Sequence, residues 1–102
     1  MLLESYISNL NNLPSNSEKI IVMRSAHHIL SPSLKLLNDY QNKKITWTEF
    51  EEKYKEEMNS LTKKIEMLKI KKLAEQKDVY LICHEQVGNC HRHILKKIIE
   101  EL

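Results

Sequence analysis

Two short runs, Ile20-Ile21-Val22-Met23 and Val79-Tyr80-Leu81-Ile82-Cys83, stand at either end of a long helical stretch, and they constrain the fold more than any other feature. Each is brief, rich in β-branched or aromatic residues and bounded by polar ones, the pattern of a strand covered on both faces. Parallel neighbours need a long crossover, usually helical, whereas antiparallel neighbours need only a hairpin. The expected fold is therefore α/β, with a small, mainly parallel sheet flanked by helices in one compact domain over 1–102.

The helices follow from periodicity and caps. Leu2, Leu3, Tyr6, Ile7 and Leu10 fall at helical spacing, and Asn11 to Ser17 supply turn formers with Pro14, so residues 1–16 read as a helix and loop ahead of a core at 19–102. Ser31 before Pro32 predicts a capped helix from Pro32 to about Tyr40. Thr46-Trp47-Thr48-Glu49 has the form of a capping box, in which hydroxyl and carboxylate satisfy orphan backbone amides. Trp47, Phe50, Tyr54 and Met58 then recur at helical spacing as an inward face. Beyond Asn59-Ser60, Leu61, Ile65 and Leu68 continue the pattern, as one broken helix or two consecutive ones. Ile94, Leu95, Ile98, Ile99 and Leu102 mark a last amphipathic helix that Asn89 is placed to cap.

Composition excludes several classes of function. Sixteen basic and fourteen acidic residues, mixed along the chain, leave a net charge of +2 and no dedicated nucleic-acid surface. Apolar runs stop far short of the roughly 20 residues a membrane helix requires. Met1-Leu2-Leu3-Glu4 has no basic lead-in to an apolar stretch, so no secretory signal is expected. The expected setting is cytoplasmic and reducing, where a Cys83–Cys90 disulfide is not favoured.

In open parallel sheets, ligands bind beyond the carboxyl ends of the strands, here Arg24 to His28 and Cys83 to Arg92. All five histidines and both cysteines fall within residues 27–28 and 83–93. Gly88, the only glycine, marks a backbone position that a side chain would obstruct. Cys90 is expected in the first turn of the last helix, where free amides and the dipole favour a thiolate or an external anion. The candidate ligand-binding residues are Arg24, His27, Glu85, Gly88, Cys90, His91 and Arg92, with the two guanidinium groups converging on a small anion. No cofactor and no metal is assigned.

Two other chemistries compete with that reading. Cys83 or Cys90 could serve a thiol-dependent enzyme, with a histidine moving protons. It would not be a phosphatase loop, because Cys-x5-Arg is absent: eight residues separate Cys83 from Arg92. Cys83, His84, Cys90, His91 and His93 are also metal-ligand types. Adjacent residues on a helix diverge by about 100°, so Cys90, His91 and His93 are not expected to reach one ion together. The plainer readings are that Arg92 braces the turn by pairing with Glu85, and that His27-His28 is a solvated loop pair. Trp47, Phe50 and Tyr54 are simply core. The sheet's exposed edges also offer a protein partner, or a second copy in a homodimer, a surface to cover.

The segment Leu81-Ile82-Cys83-His84-Glu85, followed by Cys90-His91-Arg92 and a helix, resembles the domain-of-unknown-function 488 family, with its Cys-x-Glu and Cys-His-Arg signature. The resemblance extends to Arg24, to Leu30 through Leu37 and to Ile45 through Tyr54, roughly residues 20 to 100. The loop between the cysteines is about one residue shorter than that family's, and the N-terminal region differs. What the resemblance implies is an α/β fold with its site at the cysteine-rich turn and no assigned activity.

Overall fold

The computed structural model describes residues 1–84 and 88–102. Val79–Cys83 forms a strand between two others, and the whole molecule is built around it: the sheet order is first, third, second, and both pairings are parallel. The outer strands are β1 (Leu2–Tyr6) and β2 (Glu18–Ile21), and the central one is β3 (Val79–Cys83). Leu2 pairs with Val79 and Tyr6 with Cys83 on one edge; Glu18 pairs with Val79 and Ile21 with Ile82 on the other. Among the described residues four α-helices complete the fold: α1 (Leu34–Gln41), α2 (Trp47–Glu57), α3 (Leu61–Gln76) and α4 (His91–Glu100). The α/β class and the parallel pairing of the two apolar runs are thus as the sequence implies.

The N-terminal helix is not. Leu2–Tyr6 is a strand, and only Ile7–Asn12 coils, as a 3-10 turn. A short apolar run does not distinguish helix from strand by periodicity. Here the open edge of β3 decides: an unpaired central strand would leave buried amides and carbonyls unsatisfied, and Leu2–Tyr6 satisfies them.

Three further boundaries move for local reasons. Strand β2 ends at Ile21, although the Val22 amide still donates to the Ile82 carbonyl at 2.9 Å. Ser33, not Ser31, caps α1 by accepting from the Leu36 amide; the Ser31 hydroxyl instead donates to the Val22 carbonyl at 2.8 Å. Asn89 does not cap α4, whose N-cap is Cys90. The capping box at Thr46 and Glu49 is present, and Ser60 opens a separate helix after the Asn59 break.

The core gathers Leu81, Val79, Val22, Leu30, Phe50, Tyr54, Met58, Met67, Ile70, Leu95 and Ile99 between sheet and helices. Helix α3 turns Met67 and Ile70 inward and leaves Leu61, Ile65 and Leu68 exposed, against the sequence pattern. Both sets recur at helical spacing, and α3 has almost no amphipathic bias to choose between them, so packing against β3 and α4 sets its rotation. Ile70→Ala should cost about 2–5 kcal/mol in a denaturant melt. Leu61→Ala, 75% exposed, should fall within roughly 0.5 kcal/mol of the parent. Equal losses would mean that α3 is rotated otherwise.

Candidate functional site

Beyond the carboxyl ends of β2 and β3 lies a cavity of about 270 Å³, walled by Arg24, Tyr40, Trp47, Phe50, Cys83, Cys90 and His91 among others. Three elements converge there because parallel strands emit their chains on the same side. The loop after β2 contributes Arg24, the end of β3 contributes Cys83, and the start of α4 contributes Cys90 and His91.

His91 organises the floor of the cavity. Its Nε2 lies 2.6 Å from the Val22 carbonyl oxygen, which can only accept, so Nε2 carries a proton. In the neutral ring Nδ1 is therefore the lone-pair nitrogen, and it faces both sulfurs, 3.8 Å from Cys83 Sγ and 3.9 Å from Cys90 Sγ. The ring and that of Tyr54 meet in a T-shaped contact, 5.7 Å between centroids and 69° between planes. Tyr54 is itself pinned by its hydroxyl, which donates to the Leu30 carbonyl at 2.5 Å.

Cys83 and Cys90 are reduced and buried. The Cys83 thiol is lowered to about 5, first by its hydrogen bond with Cys90, against the opposing effect of burial, and then by the hydrogen bond and charge of His91 and the His84 amide. The thiolate is thereby favoured at neutral pH, and the thiolate is the form that attacks electrophiles or binds metals. Burial pushes the Tyr54 hydroxyl well above its ordinary value, so it stays a neutral donor.

On helical geometry Cys90, His91 and His93 were not expected all to reach one ion; in the structure Cys90 and His91 come together with Cys83, and His93 does not join them. Cys90 is the N-cap, with extended φ −145° and ψ 143°, so the divergence of about 100° per residue does not apply to this pair. It does apply to His93, which turns away: its Nε2 lies 3.1 Å from the Gly88 carbonyl and its Nδ1 contacts the Glu4 carboxylate.

The two arginines part company. Arg24 lines the cavity, its Nη1 3.2 Å from His27 Nδ1, and its buried Nε has no hydrogen-bond partner among the described residues. Arg92 is 3% exposed and is not among the cavity-lining residues described; its Nε lies 3.5 Å from Glu4 Oε1 on β1. Glu85, and with it the Arg92–Glu85 brace, lies outside the described residues. At Gly88 an added Cβ would meet nothing within 4 Å; what calls for glycine is a φ of +89°, not close approach. His27 is exposed, whereas His28 accepts from the Leu30 amide at 3.1 Å and is lowered in pKa by burial.

The far wall was not legible as a wall. Trp47 and Phe50 stack at 4.9 Å and 10°, and Tyr40 packs against both at 5.3 Å. Phe50 and Tyr54 are core, as their spacing implies, but Trp47 is half-buried and faces the cavity. The missing signal was Tyr40, which comes from another helix. Glu4 was missed because its strand was read as a helix.

A family model described as the active DUF488-N3 subclade, DUF488-N3a, matches residues 12–102. The chain belongs to this family. The match takes in β2, β3, all four helices and both halves of the cysteine-rich turn, so the resemblance carried by Cys83-His84-Glu85 and Cys90-His91-Arg92 is shown. Strand β1 of this DUF488-N3a chain precedes the matched span. No curated protein and no solved structure matches the chain. No helix among the described residues is long and apolar enough to cross a membrane.

Tyr54→Phe should lower stability by about 1–3 kcal/mol, because the Leu30 carbonyl loses its buried donor. Denaturant melts of the two proteins measure this. A neutral result would show that water or another group reaches that carbonyl.

Proposed function

We propose that the protein binds a small anionic ligand bearing a flat ring in the cavity beyond β2 and β3, and presents it to the thiols of Cys83 and Cys90. The observation that carries this reading is Arg24. It is the one arginine or lysine among the described cavity-lining residues, and its buried Nε is unsatisfied there. A buried donor without a partner calls for an explanation, and an anion is the partner a guanidinium recognises best.

The rest of the cavity supports the ring. Tyr40, Trp47 and Phe50 offer apolar aromatic surface opposite the cysteines, and stacked or edge contacts with such rings favour a planar ligand. At about 270 Å³ the cavity suits a small molecule, or the reactive end of a larger one. His27 Nδ1 lies within hydrogen-bond reach of Arg24 Nη1, and the backbone of His27 takes the αL conformation at φ 54°. Arg92 serves structure in this reading, as the buried partner of Glu4 that ties α4 to β1.

Phenyl phosphate, inorganic phosphate and phenol separate the contributions of ring and charge. Phenyl phosphate should bind most tightly by calorimetry, and Arg24→Ala should weaken it by roughly tenfold or more with the melting temperature little changed. Arg92→Ala should do the reverse, lowering the melting temperature and leaving affinity within about twofold. Unchanged phenyl phosphate affinity in Arg24→Ala would defeat the proposal.

A further inference from the structure

We infer that Cys83, Cys90 and His91 form a binding site for one zinc ion, or a similar borderline-soft divalent metal, with its open position facing the cavity. The donors are Cys83 Sγ, Cys90 Sγ and His91 Nδ1, which all lie within 4.8 Å of one another. A tetrahedral zinc with bonds of about 2.3 Å to sulfur and 2.0–2.1 Å to nitrogen sets its donors roughly 3.5–3.8 Å apart. The two sulfur-to-nitrogen distances, 3.8 and 3.9 Å, need only a few tenths of an ångström of contraction.

Nδ1 faces both sulfurs at nearly equal distance, so all three donors can reach one point between them.

The surroundings match as well. Ligating histidines almost always donate their second ring N–H to a carbonyl or carboxylate, which fixes the tautomer and aims the ligating nitrogen. His91 Nε2 does this to the Val22 carbonyl, itself held by the Ser31 hydroxyl. Two thiolates and a neutral imidazole would neutralise a dication, so the assembled centre suits a buried site, and the metal displaces whatever protons the cluster still holds as it binds. Three protein donors with a fourth position left to water or ligand is the composition of catalytic rather than structural zinc sites. All three residues line the cavity from which that fourth partner would come.

The chain is favourable for a test because its only two cysteines are both in the cluster, so thiol signals have no background. The full-length protein, stripped with a chelator and titrated with zinc, should retain about one equivalent after desalting. Cobalt(II) should give thiolate-to-metal charge-transfer absorption with tetrahedral visible bands. Zinc should slow iodoacetamide alkylation of both cysteines by about tenfold or more, a reading on the parent protein that needs no variant to fold. Cys83→Ser, Cys90→Ser and His91→Ala should each weaken zinc by about tenfold or more, while His93→Ala keeps the stoichiometry. Arg24→Ala should keep its zinc even where it loses phenyl phosphate, so this inference and the anion reading fail separately. Alkylation at the same rate with and without zinc, together with no retained metal, would overturn the site; so would loss of metal in His93→Ala with His91→Ala unaffected.

Discussion

A strand that is apolar along its length has to be paired on both edges and covered on both faces, and Val79–Cys83 imposes that demand on the rest of the chain. Its backbone is satisfied by β1 on one side and β2 on the other. Its side chains at Val79, Leu81 and Ile82 are almost wholly excluded from water. Burial of that kind is the main favourable contribution to folding, and it draws α3 and α4 onto the sheet.

Pairing in parallel has a consequence for chemistry. Because β2 and β3 run the same way, the segments that follow them emerge together, which brings Arg24 and Cys83 to one rim. The Val22 carbonyl at that rim lies past the end of β2 and needs partners of its own. It takes a hydrogen bond from the Ser31 hydroxyl and one from His91 Nε2, filling both lone pairs. One backbone oxygen thus fastens the loop after β2 to α4 and sets the tautomer that aims Nδ1 at the two sulfurs. The anion and metal readings both depend on this fastening, since it shapes the floor on which a ligand would rest.

Burial also sorts the charged groups. Arg92 is nearly excluded from water and sits against Glu4, an arrangement in which the desolvation of the guanidinium is offset by a nearby carboxylate. Arg24 remains partly exposed at the cavity wall, anchored by His27. Two arginines that look equivalent as Arg24 and Cys-His-Arg in the sequence therefore take different parts.

Sequence alone determined the features that rest on local chemistry. The β-branched runs specified β2 and β3, the Thr46 to Glu49 spacing specified the start of α2, and the crowding of histidine and cysteine into two segments put thiol and imidazole groups at the strand ends, where the cavity lies. Each of these depends on residues near one another in the chain. Tertiary structure decided the rest: that Leu2–Tyr6 is a strand, which face of α3 is buried, that Arg92 turns to Glu4, and that Cys90 and His91 meet Cys83 at one point. The physical reason is common to all four. Leu2–Tyr6 and α3 carry patterns that suit two conformations or two faces, and Cys90 and His91 diverge or converge with a single residue's backbone angles, so the outcome rests on partners dozens of residues away.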